Sequence, residues 1–296
     1  MIRVLSPGLF TTVQDLGRPG FCHQGVSAAG AADPISLRLA NGLVGNRESA
    51  ACLEMTLRGG RFVFSTDAWM SVCGGDFDCS IPMWRSILMR AGVELTIGAC
   101  CCGARCYLAV RGGIRAKHYL GSASAHVLSG LGNVVQKDDW FELGDGAVSQ
   151  VITGTVAPSR SAGRIRVTAG AETDRFPSLA VFSFLQQTWT VSADSNRQGV
   201  RLRGSAVASP GAGFMASEGM ALGAIQIVPG GEPVILFVDS QTTGGYPVIA
   251  NVAAVDLGCV GQLRPGAEVR FEPVSFETAR RLLFEQEAWL RAELRS

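Results

Sequence analysis

Three polar stretches of this chain hold more reactive side chains than strand or turn formation requires. The first is Thr11-Thr12-Val13-Gln14-Asp15-Leu16-Gly17-Arg18-Pro19-Gly20, continuing through His23 to Gly30-Ala31-Ala32-Asp33. It gathers an amide, a carboxylate, a guanidinium and an imidazole in a glycine-rich connection, the kind of loop a rigid scaffold can hold at a site. An Asp15–Arg18 ion pair that merely staples the loop is the plainer alternative, and Asp33 reads as a helix cap. The second is Ser192-Ala193-Asp194-Ser195-Asn196-Arg197-Gln198-Gly199-Val200-Arg201-Leu202. It either presents Arg197 to an anion or folds into Asx turns that leave Arg197 solvated. The third is Val238-Asp239-Ser240-Gln241-Thr242-Thr243-Gly244-Gly245-Tyr246-Pro247. Amides freed by Gly244 and Gly245, with the Thr242 and Thr243 hydroxyls, form a cradle for an anion or a carbonyl oxygen. A long hairpin loop is the alternative.

Other chemistries are disfavoured by what the chain lacks. Lys117 and Lys137 are its only lysines, so 26 − 2 = 24 of the basic residues are arginine. There is no GxxxxGK[ST] phosphate loop and no GxSxG nucleophile elbow. Neither lysine is flanked by methionine, so no covalently bound biotin is expected on this chain, and neither is placed for a Ser–Ser–Lys amidase site. His23, His118 and His126 are not at metal-helix spacing, and no metal site is expected. The nine cysteines, with Cys100, Cys101 and Cys102 consecutive, fit neither a disulfide framework nor a zinc cluster, and suit reduced, mostly buried thiols in a cytosol. A net charge of +1 removes the electrostatic case for nucleic acid or an anionic membrane. No signal peptide or run of about 20 apolar residues is recognised, so a cytoplasmic location is expected.

The elements that must position these residues read as mainly β. Short apolar runs at 61–64, 69–73, 86–89, 94–97 and 106–110 are separated by glycine-rich turns, as in a barrel or sandwich. After a small, polar stretch at 144–166 the pattern resumes at 164–167, 188–191, 224–228 and 234–238. Two units are therefore expected, residues 1–150 and 164–296, with one integrated domain as the alternative. Arg90-Ala91-Gly92-Val93-Glu94-Leu95 and Arg264-Pro265-Gly266-Ala267-Glu268-Val269 are similar phrases in the two halves. Asp33-Pro34 opens a helix with a cap and a proline at its first position, and a second, amphipathic helix begins near Ser275.

The three stretches also carry a resemblance. Ser6-Pro7-Gly8 through Gly20, Leu39-Ala40-Asn41, Leu43-Val44-Gly45-Asn46, Leu53-Glu54, Val110-Arg111-Gly112-Gly113-Ile114 and Leu120-Gly121-Ser122 resemble the biotin-dependent carboxyltransferase family. That family includes allophanate hydrolase subunit 2 and the C subunit of 5-oxoprolinase. Asp174-Arg175-Phe176, Ser217-Glu218-Gly219, Gly223-Ala224-Ile225-Gln226 and Gln241-Thr242-Thr243-Gly244-Gly245-Tyr246-Pro247 continue the match.

The resemblance implies two cyclophilin-like β-barrel units with a few short helices and a C-terminal helix. It also implies a subunit of an ATP-dependent complex opening 5-oxo-L-proline to L-glutamate. The implied partners are a B subunit (allophanate hydrolase subunit 1-like) and an A subunit, with ATP and Mg used at the level of the complex. Under that reading Asp15, Glu218 or Asp239 supplies a base or a metal contact, and His23 an acid or base. Arg18, Arg111 and Arg197 hold carboxylate or phosphate, while Gln14, Gln226, Gln241, Thr242, Thr243, Gly244, Gly245 and Tyr246 bind substrate. A urea- or allophanate-type carboxyltransferase or amide hydrolase subunit is one alternative. A non-catalytic regulatory subunit binding a kinase-inhibitor-like partner is another. The chain departs from the family pattern at Ala123 and Ser240, where arginine is usual, and at Gln198 and Val200.

Overall fold

The computed structural model describes residues 1–144, 154–155, 157–158, 163–209 and 216–294. The chain divides into two compact units. One comprises Met1–Arg18, Ala29–Ser159 and Ala288–Ser296, the other Pro19–Ala28 and Arg160–Glu287. This division differs from a single cut between residues 150 and 164 by sending an N-terminal segment to the second unit and the chain's end to the first. The expected boundary lies mostly outside the described residues.

The first unit holds β1 (Ile2–Ser6), β2 (Phe10–Gln14), β3 (Cys52–Thr56), β4 (Arg61–Phe64), β5 (Ala68–Cys79), β6 (Ile87–Met89), β7 (Glu94–Val110) and β8 (Trp140–Phe141). They form an eight-stranded sheet in the order β2-β3-β7-β4-β1-β8, with β5 paired to β7 and β6. The runs expected at 94–97 and 106–110 are one bent strand. Its start pairs with β4 and its end with β3, while register shifts against β5 absorb the bend between them. Alternation gives the sheet two buried faces. Leu53, Met55, Leu108 and Val110 join the core built with Phe62, Phe64 and Val72. Cys52, Tyr107 and Ala109 face the other way, against helix α1 (Pro34–Leu43) and its Leu37, Ala40 and Leu43. Asp33 caps that helix as expected, accepting from the Ser36 backbone N–H at 3.2 Å and its hydroxyl at 2.7 Å.

The second unit is a closed antiparallel barrel apart from one parallel pair. Its strands are β9 (Arg164–Ala169), β10 (Trp189–Val191), β11 (Gly199–Arg203), β13 (Ala224–Ile227), β14 (Pro233–Leu236), β16 (Val248–Val252) and β17 (Glu268–Pro273). Their order is β10-β11-β14-β13-β16-β9-β17, with β17 closing back on β10. Two short strands, β12 (Glu218–Gly219) and β15 (Thr243–Gly244), pair separately as a flap. Ile165, Val167, Val200, Leu202, Ile225, Ile235, Val269 and Phe271 are buried on alternate positions and fill the barrel. Helix α2 (Ser178–Gln186), absent from the sequence expectation, adds Phe184. Its ring stacks on Phe271 at 4.7 Å, and its carbonyl accepts from Trp189 Nε1 at 3.0 Å. Helices α3 (Leu257–Gly261) and α4 (Phe276–Glu293) complete the described elements. Ser275 caps α4, its Oγ accepting from Thr278 N–H at 3.1 Å. Among the described residues no helix is long and apolar enough to cross a membrane.

The mainly β expectation holds. Of its two barrel-like units, one is a closed seven-stranded barrel and the other a sheet curled into a half-barrel. The paired phrases have one local geometry. Val93 N–H bonds Arg90 carbonyl at 3.2 Å and Ala267 N–H bonds Arg264 carbonyl at 3.0 Å. Gly92 and Gly266 sit at φ +76° and +81°, each launching a strand whose second residue, Leu95 or Val269, is fully buried.

Candidate functional site

The outward face of the barrel carries a cavity of about 150 Å³ in the second unit. Register explains who lines it. Arg201 pairs with Val234, and Val234 with Gln226, so the three side chains form one row across β11, β14 and β13. Gly199 pairs with Leu236 in the next row on the same face. Val200, Leu202, Ile225 and Ile235 point the opposite way into the barrel, as the strand period requires. Asn196, Gln198, Gln241 and Tyr246 complete the polar lining. The flap lies over an apolar strip of this face made by Ala224, Leu236 and Val248, with Met220 packed on it.

Gln226 is the buried polar floor, 1% exposed. Its Nε2 donates to the Tyr246 carbonyl at 3.1 Å and contacts Met220 Sδ at 3.2 Å. Gly244 lets the flap come this close, because a Cβ there would lie 2.7 Å from Gln226 Nε2. Of the expected binding loop, Gln241 and Tyr246 line the cavity. Thr243 and Gly244 instead pair with Gly219 and Glu218, and the Thr242 carbonyl accepts from Met220 N–H at 2.8 Å. Thr242 to Gly244 are therefore built into the flap rather than into a cradle of free amides. Gly245 is exposed beside it, and Glu218 is exposed on β12.

The sequence assigns Arg197 to an anion and Asp239 to the role of a base; the structure joins them to each other. Arg197 Nε and Nη2 donate to the two Asp239 oxygens at 2.7 and 3.0 Å, with both side chains at least nine-tenths buried. Asp239 N–H also bonds the Arg197 carbonyl at 2.9 Å. This two-point buried pair ties the loop before β11 to the end of β14. Arg201, by contrast, lines the cavity, and among the described residues it has no carboxylate partner. Arg201, Asn196 and Gln198 lie in the second polar stretch, where the sequence reading gives a binding role to Arg197 and none to these three. The available signal was alternation, since Arg201 lies between apolar Val200 and Leu202 and must face outward if they face in.

The remaining candidates lie elsewhere. Asp15, in the first unit, accepts from Ser122 Oγ (2.6 Å), Ser124 Oγ (2.6 Å), Ala123 N–H (2.7 Å) and Gly17 N–H (2.7 Å). Four donors on a buried carboxylate make it a clamp between two loops. Arg18 is 1% exposed and donates to the Tyr119 and Ser124 carbonyls. The loop is thus held to the 119–124 segment by Asp15 and Arg18, each through its own contacts. Gln14 is fully buried and donates to Thr12 Oγ1 at 3.0 Å and the Ala125 carbonyl at 3.1 Å. Arg111 lines a separate, shallow cavity of the first unit with Asp67, Trp69, Arg115 and Glu142. His23 belongs to the second unit and is exposed, and among the described residues its ring meets Gln24 Nε2 at 3.2 Å. Of nine cysteines only Cys52, Cys73 and Cys106 are buried, fewer than expected, because Cys100–Cys102 ride an exposed stretch of β7.

A buried network in the first unit was not legible. Glu54 Oε2 accepts from Tyr107 Oη and from Ala32 N–H, each at 2.8 Å, and Tyr107 Oη accepts from Asp33 N–H at 2.8 Å. Burial, and then the adjacent Glu54 charge, push the Tyr107 phenol well above its usual range.

This fold and pocket define a two-unit β protein with an amide-lined cavity on a barrel face. A model of the carboxyltransferase domain, subdomain A and B, matches residues 24–273, and the chain belongs to that family. It is 34% identical to the C subunit of 5-oxoprolinase from Escherichia coli (strain K12), over 98% of both chains. It is 33% identical to urea amidolyase of Saccharomyces cerevisiae over 98% of its own length but 18% of that enzyme's. The crystal structure of Kluyveromyces lactis urea carboxylase superposes with a TM-score of 0.90 at 32% identity, covering 98% of this chain and 29% of that one.

Proposed function

We propose that the chain is one subunit of a 5-oxoprolinase-type complex, acting with B- and A-type partner subunits in the cytoplasm to open a small cyclic amide at the expense of ATP. The observation that carries this reading is the end-to-end match to the C subunit of 5-oxoprolinase, 98% of each chain. The urea-processing relatives embed the same region in much longer chains. The cavity is consistent with the reading. Three glutamines, an asparagine, a tyrosine and an arginine around about 150 Å³ suit a small amide. An amide is a poor electrophile until charge on its oxygen is stabilised, which oriented donors accomplish.

The cavity residues do not fit a nucleotide. Pockets for drug-sized ligands run to roughly 300–1,000 Å³, so in this reading ATP and its Mg are not held in this cavity, and no phosphoryl step is assigned to it. A urea-type carboxyltransferase or amide hydrolase is the second reading, favoured by 35% identity to the urea amidolyase of Lachancea kluyveri over 96% of this chain.

The test is to co-purify the chain with its B and A partners and assay ATP hydrolysis with 5-oxo-L-proline and, separately, with urea. Stimulation by 5-oxo-L-proline is expected. Stimulation by urea alone, or by neither while a known 5-oxoprolinase responds, overturns the proposal.

A further inference from the structure

From the cavity lining we infer that Arg201 is the specificity-determining residue of this site, binding the carboxylate of a lactam whose ring N–H is received by Gln226. The inference rests on the function proposed above and deepens it, because it separates a carboxylate-bearing lactam from a neutral urea.

Three observations carry it. The first is a matter of charge. Of the two arginines in the stretch 192–202, Arg197 is neutralised by a bidentate bond to Asp239. Arg201 lines the cavity and meets no carboxylate among the described residues. A guanidinium left unpaired beside a pocket offers a planar two-donor fork to a carboxylate.

The second observation concerns polarity at the floor. Both donor contacts of the Gln226 amide are on Nε2, to Tyr246 and Met220. That leaves Oε1 as the amide atom without a protein donor among the described residues. A buried acceptor receives an N–H, and a lactam supplies one. The third is spacing. Arg201 and Gln226 stand in one register row with Val234 between them. Two strand spacings separate their backbones by about 10 Å, and both side chains rise from the same face. In 5-oxo-L-proline the ring N–H and the carboxylate sit on neighbouring atoms, so Arg201 and Gln226 reach them by converging over Val234, whose apolar surface then faces the ring methylenes. Gly199 keeps the neighbouring row open, since a Cβ there would come within 2.9 Å of Val234 Cγ1.

The experiment compares the wild type with R201Q and R201K, each in the full chain and in the reconstituted complex. Its probes are 5-oxo-L-proline and 2-pyrrolidinone, the same ring without the carboxylate. In the complex, R201Q should raise KM for 5-oxo-L-proline at least about tenfold with little change in kcat, and R201K should recover part of the loss. By calorimetry on the full chain, the wild type should bind 5-oxo-L-proline at least about tenfold more tightly than 2-pyrrolidinone, and R201Q should erase that gap. A KM for R201Q within twofold of wild type, or equal binding of the two lactams by wild type, overturns the assignment. If the wild-type complex shows no response to 5-oxo-L-proline, the functional reading fails, and the site is then judged by binding alone. Absence of 5-oxo-L-proline binding to the full chain, or binding untouched by R201Q, overturns the site as well.

Discussion

Replacing Asp239 by asparagine separates a structural strut from a catalytic base. The Asp239 and Arg197 side chains are 10% and 8% exposed and share two hydrogen bonds at 2.7 and 3.0 Å. Asp239→Asn keeps the shape but strands the Arg197 guanidinium against a neutral amide. Removing one partner of a buried pair costs about 3–5 kcal/mol. Asparagine retains one carbonyl acceptor, so the lower end, about 3 kcal/mol, is expected here. For a unit of this size each kcal/mol lowers Tm by about 2–4 °C, giving a fall of roughly 6–12 °C. The assay is thermal denaturation followed by circular dichroism, with turnover of the complex measured well below both transitions. The double variant R197M/D239L removes both charges and replaces them with apolar groups. It should regain most of the lost Tm, because well-packed apolar replacements of buried pairs are often neutral or stabilising. A D239N protein that melts within about 1 °C of wild type yet has lost turnover would refute the strut and restore Asp239 as a base.

Three further expectations follow from burial. The thiols of Cys52, Cys73 and Cys106 are pushed up by burial, whereas unfolded thiols lose their protons near pH 8.5. Their stabilisation is therefore complete below that pH and falls as pH rises toward the folded values, by about 2 kcal/mol per thiol at pH 10; urea midpoints that stay constant from pH 7 to 10 would contradict this. The two departures from the family pattern should behave differently. Ala123→Arg places a charge at a site 5% exposed and should cost more than about 3 kcal/mol in chemical denaturation, while Ser240→Arg, half-buried, should change stability by under about 0.5 kcal/mol. Gly244→Ala puts a Cβ 2.7 Å from Gln226 Nε2 and 3.1 Å from Met220 Cγ. It should cost about 1–3 kcal/mol and raise substrate KM in the complex, and an unchanged melt and KM would show that the flap yields freely.

Much of the β framework was legible because local signals agreed with the fold. The runs at 61–64 and 164–167 are strands, and Asp33-Pro34 opens α1. Where reading failed, tertiary contacts had overridden local cues. The runs at 94–97 and 106–110 read as two strands, but β7 runs through both because different partners pair with its two ends. Helix α2 has no polar stripe to mark it: Leu179 and Phe182 are exposed while Phe184 is buried, so apolar residues occur on both faces and periodicity is lost. Glu54 lies in an otherwise apolar strand, and nothing near it in sequence announces Tyr107, its cross-strand partner fifty-three residues away.

The candidate site was legible by residue type but not by assignment, and the arginines show why. Arg197 and Arg201 stand four residues apart in one polar stretch, and their side chains are chemically identical. What separates them is Asp239, forty-two residues beyond Arg197 and brought back beside it by the pairing of β11 with β14. Gly199 opposite Leu236 sets that register, and it also turns Arg201 outward while Val200 goes into the barrel. A guanidinium already joined to a buried carboxylate has little field left for a ligand, because its charge is met at 2.7 Å by a partner that cannot leave without a cost of about 3–5 kcal/mol. Arg18, bonded to two backbone carbonyls and 1% exposed, belongs to the first unit and does not line the barrel cavity. Subtracting committed charges leaves Arg201 as the cation available to an anionic substrate at the barrel cavity, and that subtraction requires the strand register.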